Sequence, residues 1–561
     1  MRYRGSTRLA ALFSTVLLAS ACSDGGTSTA TEVPDVSAPS SPGAPPTAVE
    51  STPVVTPRST PVAEETPDGD DRDVLRVAVS PPSTLDPMRM ADPGSVLVLR
   101  QLFEGLTRWD PVARWVVPAA AASWTVSDGG TTFEFKLREG MTFHDGTPVT
   151  ARDFKFAFDR IARKRNASDL AYTLDRVQGF VEFSQLGQGR GLKGVTAVDD
   201  LTLRIRLSEP HYDFPAVLTH PGLVPVPRDA VREINRFVRA PIGNGPFRIA
   251  NEWEPGGEVV LDAFAGYKEP SGIDRIHFVP FANAAESWSS FERGQIDIAE
   301  VPMGEFGDAS ETYGSDGTMP FLAGYFYGVN LRAGALRDIR LRKALNFAVD
   351  RATIADEVYG GTMQVPRGVV PRGMPGFNND ACNALCAFTP DKARSLVAQL
   401  PRKLRRVGLE FTKGRPHGEV ARLVAQNLRD AGLQVKLRRF EFGEYLTHLT
   451  RGNGGIYRYG WLAEYPDPDV FLTPLFDSGS PENYSGFESD RVDGLLDRAH
   501  AESNPLRRLH LYQSAERAVL KRVPVIPIGS FVTHWAAQPR VAGLEFDTVG
   551  GFDLASASIE D

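Results

Sequence analysis

Cysteine is scarce in this chain, with three in 561 residues. They stand at positions 22, 382 and 386. After residue 22 no apolar stretch approaches the roughly 20 residues a membrane-spanning helix needs. Positive charge is not in excess: the formal net charge is -8, which leaves no basic field for a nucleic acid and is compatible with cationic or zwitterionic ligands. Enzyme templates are missing as well. There is no G-x-S-x-G elbow, no H-E-x-x-H and no P-loop. The nine histidines are scattered, and His144 sits in a Phe-His-Asp-Gly turn that suits packing better than catalysis. Gly187, Gly189 and Gly191 cluster without the strand-glycine-helix setting of a phosphate site, so they read as a surface loop. No internal repeat of fixed period occurs.

What is present begins with addressing information. Arg2, Arg4 and Arg8 form a short basic region, and Leu9 to Ala19 form an uncharged apolar stretch. Small residues follow, as a secretory signal peptide requires. Leu18-Ala-Ser-Ala-Cys22 resembles a bacterial lipobox, with Ala19 where such motifs carry a larger aliphatic residue. The expectation is a signal peptide over 1–21 and a lipidated Cys22. Residues 22–73 are rich in Thr, Pro, Ser and Ala, with Thr-Pro pairs at 52, 56, 60 and 66. So few large apolar groups cannot offset chain entropy, which predicts a disordered tether.

The rest is too long for one simple core and predicts two or more lobes. Apolar content of 42% and charged content of 24% are ordinary for a globular chain. Leu75–Ser80, Phe133–Arg138, Leu201–Leu207 and Val435–Phe440 alternate as strands. Asp153–Ala162 with Thr150 as cap, Arg340–Tyr359, and Glu419–Ala431 ended by Gly432 read as helices. Alternation of the two types along the chain argues for α/β lobes. In an oxidising compartment Cys382 and Cys386 are expected to pair and pin a local turn. Metal binding is the rival reading, but no His/Cys pair with zinc-site spacing lies nearby.

Several blocks carry a longer pattern. Leu85-Asp-Pro87 and Leu102-Phe-Glu-Gly-Leu-Thr107 come first. Phe135-Lys-Leu-Arg-Glu-Gly-Met-Thr-Phe-His-Asp-Gly-Thr-Pro-Val-Thr-Ala151 follows, then Pro241-Ile-Gly-Asn-Gly-Pro-Phe247 and Arg293-Gly-Gln-Ile-Asp-Ile298. Arg340-Leu-Arg-Lys-Ala-Leu-Asn-Phe-Ala-Val-Asp-Arg351, Gly460-Trp-Leu-Ala-Glu-Tyr-Pro-Asp-Pro-Asp469 and Val523-Pro-Val-Ile-Pro-Ile528 complete the order. In this order the blocks resemble the solute-binding proteins of bacterial ABC importers, in the subfamily that binds peptides and nickel, over residues 74 to 540. Asn244 replaces the threonine of the family's Gly-Thr-Gly-Pro turn.

The resemblance implies an α/β, two-lobed periplasmic-binding-protein-like fold of class II, with an extra subdomain in the first lobe and a two-strand hinge. Lobe I is expected over 74–325 with the insertion at about 115–240, lobe II over 326–519, and a return to lobe I over 520–561. It implies a monomeric, non-enzymatic receptor without a cofactor, anchored on the outer face of the cell membrane, that binds short peptides in the cleft and delivers them to an ABC permease. Nickel chelates, haem, oligosaccharides and glycopeptides are alternative solutes. An orphan sensor or adhesin and a cell-envelope hydrolase are rival roles.

Glu464 matches the acidic position that pairs with a peptide's amino terminus in relatives, where Asp is usual. Arg458 matches a position where some relatives place an arginine that meets a peptide carboxylate, a role that suits bidentate geometry. Trp461 reads as cleft wall or as core. Tyr459 and Tyr465 can line an amphipathic pocket or serve structure. Tyr325 or Tyr327 is expected to face the cleft, and Asn330 to open the second lobe. Asp467 and Asp469 read as a structural turn.

Overall fold

A computed structural model describes residues 74–549 and 551–560. The signal peptide, Cys22 and the tether lie outside the described residues. The fold is mixed α/β. Among the described residues no helix is long and apolar enough to cross a membrane.

The segment Val74–Val79 forms a strand whose Leu75, Val77 and Val79 alternate into the core. It pairs in parallel with Arg275–Pro280 and with Ile298–Glu300. Arg540 fixes its start: the guanidinium donates to both Asp297 oxygens at 2.9 Å and to the Val74 carbonyl at 3.0 Å. The sheet continues outward through Val259–Ala263 and Phe247–Ile249. In the other direction it passes through two long antiparallel strands, Val525–Ala537 and Thr318–Val329, to Ile456–Leu462, Arg406–Thr412 and Gln434–Phe440. These two long strands join the two halves of the sheet. Their pairing slips between Pro320 and Gly324 and again between Tyr325 and Phe326, and such bulges bend a strand and re-aim its side chains.

A separate four-stranded antiparallel sheet lies within residues 121–206, in the order Ala121–Ser127, Thr132–Leu137, Thr202–Arg206, Val195–Ala197. The helix Ala151–Ala162 packs on it. Thr150 and Asp153 close a capping box at its start.

Three of the sequence blocks, around Asp86, His144 and Gly243–Gly245, are scaffold. Asp86 accepts both arms of Arg160 at 2.7 and 2.6 Å in a buried bidentate pair. Gly243 and Gly245 lie so close to the end of the Pro93–Leu102 helix that a Cβ would sit 1.9 Å from the Leu102 carbonyl oxygen or 2.6 Å from that of Gln101. Asn244 between them exchanges two 3.0 Å hydrogen bonds with the Glu104 backbone. His144 clamps the same turn, its Nδ1 accepting from Gly243 N at 3.1 Å; burial pushes it down to about 4, so it stays neutral and able to accept.

The single helix expected over Arg340–Tyr359 is two helices, Ile339–Ala348 and Arg351–Tyr359. The break comes from Asp350, whose carboxylate caps the second helix by accepting from Thr353 N and Thr353 Oγ1. Apolar periodicity runs through the break, so the pattern alone does not mark it. Cys382 and Cys386 are bonded, with Cα atoms 5.6 Å apart, around the short turn Asn383–Cys386.

Candidate functional site

A cavity of about 610 Å³ opens where the two halves of the sheet meet. Its first wall is made of strand ends. Val79 and Ser80, Phe281 and Ala282, and Glu300 and Val301 all line it, and each stands at or just past the carboxyl end of one of three mutually parallel strands. Ligands of open α/β sheets bind outside such ends, because there the backbone leaves the sheet and frees side chains to point into a crevice. The floor is the bulged stretch Phe321 to Tyr325 with Phe531 to Thr533 and Trp535. The far wall carries Tyr359, Arg415, Glu419, Arg458 and Trp461.

Arg458 is the unusual member. It sits on Ile456–Leu462 directly opposite Tyr327 of Thr318–Val329, and only 4% of it is exposed. The Tyr445 hydroxyl donates to its backbone carbonyl at 2.9 Å and so fixes its place in the strand. Its guanidinium lies 5.0 Å from the Tyr325 ring centre, a cation–π contact. Its Nε has no hydrogen-bond partner, and neither do the nearby buried hydroxyls of Tyr327 and Tyr359. Among the described residues Arg458 forms no ion pair. A buried charge is normally paired, because desolvation costs several kcal/mol. His417, 3.4 Å from the Tyr325 hydroxyl, is pushed down to about 3 by burial and by the positive Arg458. The imidazole is therefore neutral, and the wall carries one uncompensated cation. Arg415, by contrast, pairs with Glu419 at 3.2 Å.

The other residues named from the sequence fall in different places. Tyr325 and Trp461 line the cavity. The Trp461 indole also donates to the Val470 carbonyl at 2.6 Å, so it is both wall and anchor. Tyr327 is fully buried beside Tyr325, their rings 6.2 Å apart. Tyr459 packs in an aromatic cluster with Phe326, Tyr457 and Tyr484. Asn330 spends its side chain on backbone: Nδ2 donates to Gly454 O at 2.7 Å and Gly452 O at 3.1 Å, and Oδ1 accepts from Arg332 N. Glu464 is half-buried and Tyr465 buried in the turn after the strand; neither is among the residues lining the cavity. Asp469 belongs to a buried network, 2.7 Å from His500 Nε2 and 3.3 Å from Arg176.

Sequence reasoning missed Glu300, Tyr359, Arg415 and Glu419, and it missed the apolar share of the wall. Glu300 lies two residues past the Arg293–Ile298 block. The signal for it was the rule that strand ends in parallel sheets make sites.

Comparison with known proteins agrees with this geometry. Residues 116–483 match the family model for bacterial extracellular solute-binding proteins, family 5 Middle. The chain is 28% identical to the oligopeptide-binding protein OppA of Bacillus subtilis, covering 82% of this chain and 88% of that one. It is also 28% identical to a probable deoxycholate-binding periplasmic protein of Escherichia coli, covering 85% and 89%. The unliganded open form of the periplasmic murein tripeptide binding protein MppA superposes with a TM-score of 0.77 at 24% identity, covering 87% of this chain and 98% of that one. The chain therefore belongs to the family 5 extracellular solute-binding proteins, non-enzymatic receptors with the class II periplasmic-binding-protein fold.

Proposed function

We propose that this receptor captures short peptides in the cavity between the halves of the sheet and delivers them to an ABC importer. The observation that carries the reading is Arg458: a guanidinium buried on the cavity wall, without an ion-pair partner among the described residues, beside tyrosine hydroxyls that lack partners of their own. A ligand carboxylate can accept from the Arg458 guanidinium and from Tyr359, both of which line the cavity, and charge-assisted hydrogen bonds of this kind are about twice as strong as neutral ones. The two long strands serve as the hinge, with lobe I over 74–325 and 520–561 and lobe II over 326–519. Lipidation of Cys22 holds the monomer at the outer face of the membrane, with the Pro/Thr-rich segment as spacer.

A thermal-shift screen of the purified protein against peptide mixtures tests this. A ligand at 100 times its dissociation constant stabilises by about 2.7 kcal/mol. Silence with every peptide, together with a clear response to another solute, overturns the peptide reading. One observation favours a second solute class. Much of the wall is apolar, with Val96, Leu97, Phe281, Phe321, Leu462, Phe531 and Trp535. A rigid amphipathic carboxylate fits such a wall and the same arginine, so deoxycholate belongs in the screen.

A further inference from the structure

We infer that Glu300 is the cavity's cation-accepting residue: it takes a positively charged amine of the ligand on the wall opposite Arg458. This inference rests on the peptide reading above and adds a second charged contact to it. Glu300 ends the strand Ile298–Glu300, which pairs through Trp535 with the long strand Val525–Ala537. Its neighbour Ala299 faces the small core of Trp288, Phe291 and Phe306, so alternation turns Glu300 the other way, where it lines the cavity. Among the described residues no Lys, Arg or His lies within ion-pair distance of it.

The other charged groups of the cavity are Glu357, Arg415, Glu419 and Arg458. Arg415 and Glu419 satisfy each other, and Arg458 belongs to the opposite half of the sheet. The Glu300 side chain is open to water in the cavity, where an incoming cation can reach it. A carboxylate short of a counter-charge gains from an incoming cation. Arg458 on one wall and Glu300 on the other together select a zwitterion over a simple acid. The amine comes from one of two sources, the peptide's α-ammonium or a lysine side chain.

Isothermal titration calorimetry on the purified protein tests this with four tripeptides. They are Ala-Ala-Ala, its Nα-acetylated form, Ala-Lys-Ala, and Ala-Lys-Ala acetylated on the side-chain nitrogen. One of the two acetylations is expected to weaken binding about tenfold or more, and the arm that does so identifies the amine. Glu300→Gln should remove that discrimination while leaving the acetylated peptide's affinity within about twofold. Glu464→Gln, at the position the family resemblance marks, should preserve it. Discrimination lost in Glu464→Gln and kept in Glu300→Gln overturns the inference, as does equal binding of acetylated and free peptides. In both cases the peptide reading stands. Absence of binding by all four peptides removes the peptide reading itself, and this inference with it.

Discussion

Arg351 and Arg458 are both buried, 2% and 4% exposed, yet they live in opposite surroundings. Arg351 lies where a helix start meets the return strand. Its Nε donates to the Pro527 carbonyl at 2.6 Å, and its terminal nitrogens donate to the carbonyls of Asn346, Val349 and Cys386 and to Asn346 Oδ1. Those oxygens belong to three separate stretches of chain, around Asn346–Val349, Cys386 and Pro527, so this guanidinium is a structural hub. Arg458 has an aromatic face, an orphaned Nε and a cavity. The contrast shows that burial of a charge does not by itself mark function. What marks it is which of its hydrogen bonds the protein leaves unmade.

Matched substitutions at the two arginines sharpen this difference. Arg351→Met strips several buried carbonyls of their donor and should cost about 3 kcal/mol or more of stability, read from urea midpoints. A pH effect comes next. Burial, with help from Arg100, pushes His220 down to about 4, and its Nδ1 accepts from Gly222 N at 3.1 Å, which only the neutral ring can do. The unfolded chain binds this proton near pH 6.5 and the folded chain only near 4, so stability must fall as pH drops through that window. For His220 alone the loss at pH 5 is about 2 kcal/mol. His220→Gln should flatten that part of a pH series of urea melts. Asn330→Ala should cost about 1–2 kcal/mol, since it leaves the Gly452 and Gly454 carbonyls unpaired, with peptide affinity unchanged by calorimetry. Smallest is Arg458→Met. It replaces an uncompensated buried charge with an apolar side chain and should leave stability unchanged or slightly raised. A loss comparable to that of Arg351→Met would erase the distinction.

Much of the fold was legible in sequence because strands declare themselves by alternation. Val74–Val79, Thr132–Leu137 and Thr202–Arg206 lie within a residue or two of where the pattern put them. The break at Asp350 was not legible, since a cap is a local hydrogen bond that periodicity ignores. The site was legible only in part. Trp461 came from one of the family-like blocks, Arg458 from its match to a position in relatives and Tyr325 from its residue type, and all three line the cavity. Tyr327 shares the strand face of Tyr325 but lies deeper. Glu300 escaped because its exposure to the cavity depends on pairing between Ile298 and Ala537, a contact between distant parts of the chain. The aspartates at 467 and 469, expected from the sequence to form a structural turn, are both buried in a network with Asp213, Arg508 and His500.

The most direct test is calorimetric binding of one peptide as its free acid and as its C-terminal amide, to the native protein and to Arg458→Met. With Arg458 as the carboxylate anchor, the free acid binds the native protein at least about tenfold tighter than the amide, roughly 1.4 kcal/mol, and the difference vanishes in Arg458→Met. Equal binding of acid and amide to the native protein, or a preference that survives the substitution, would contradict it.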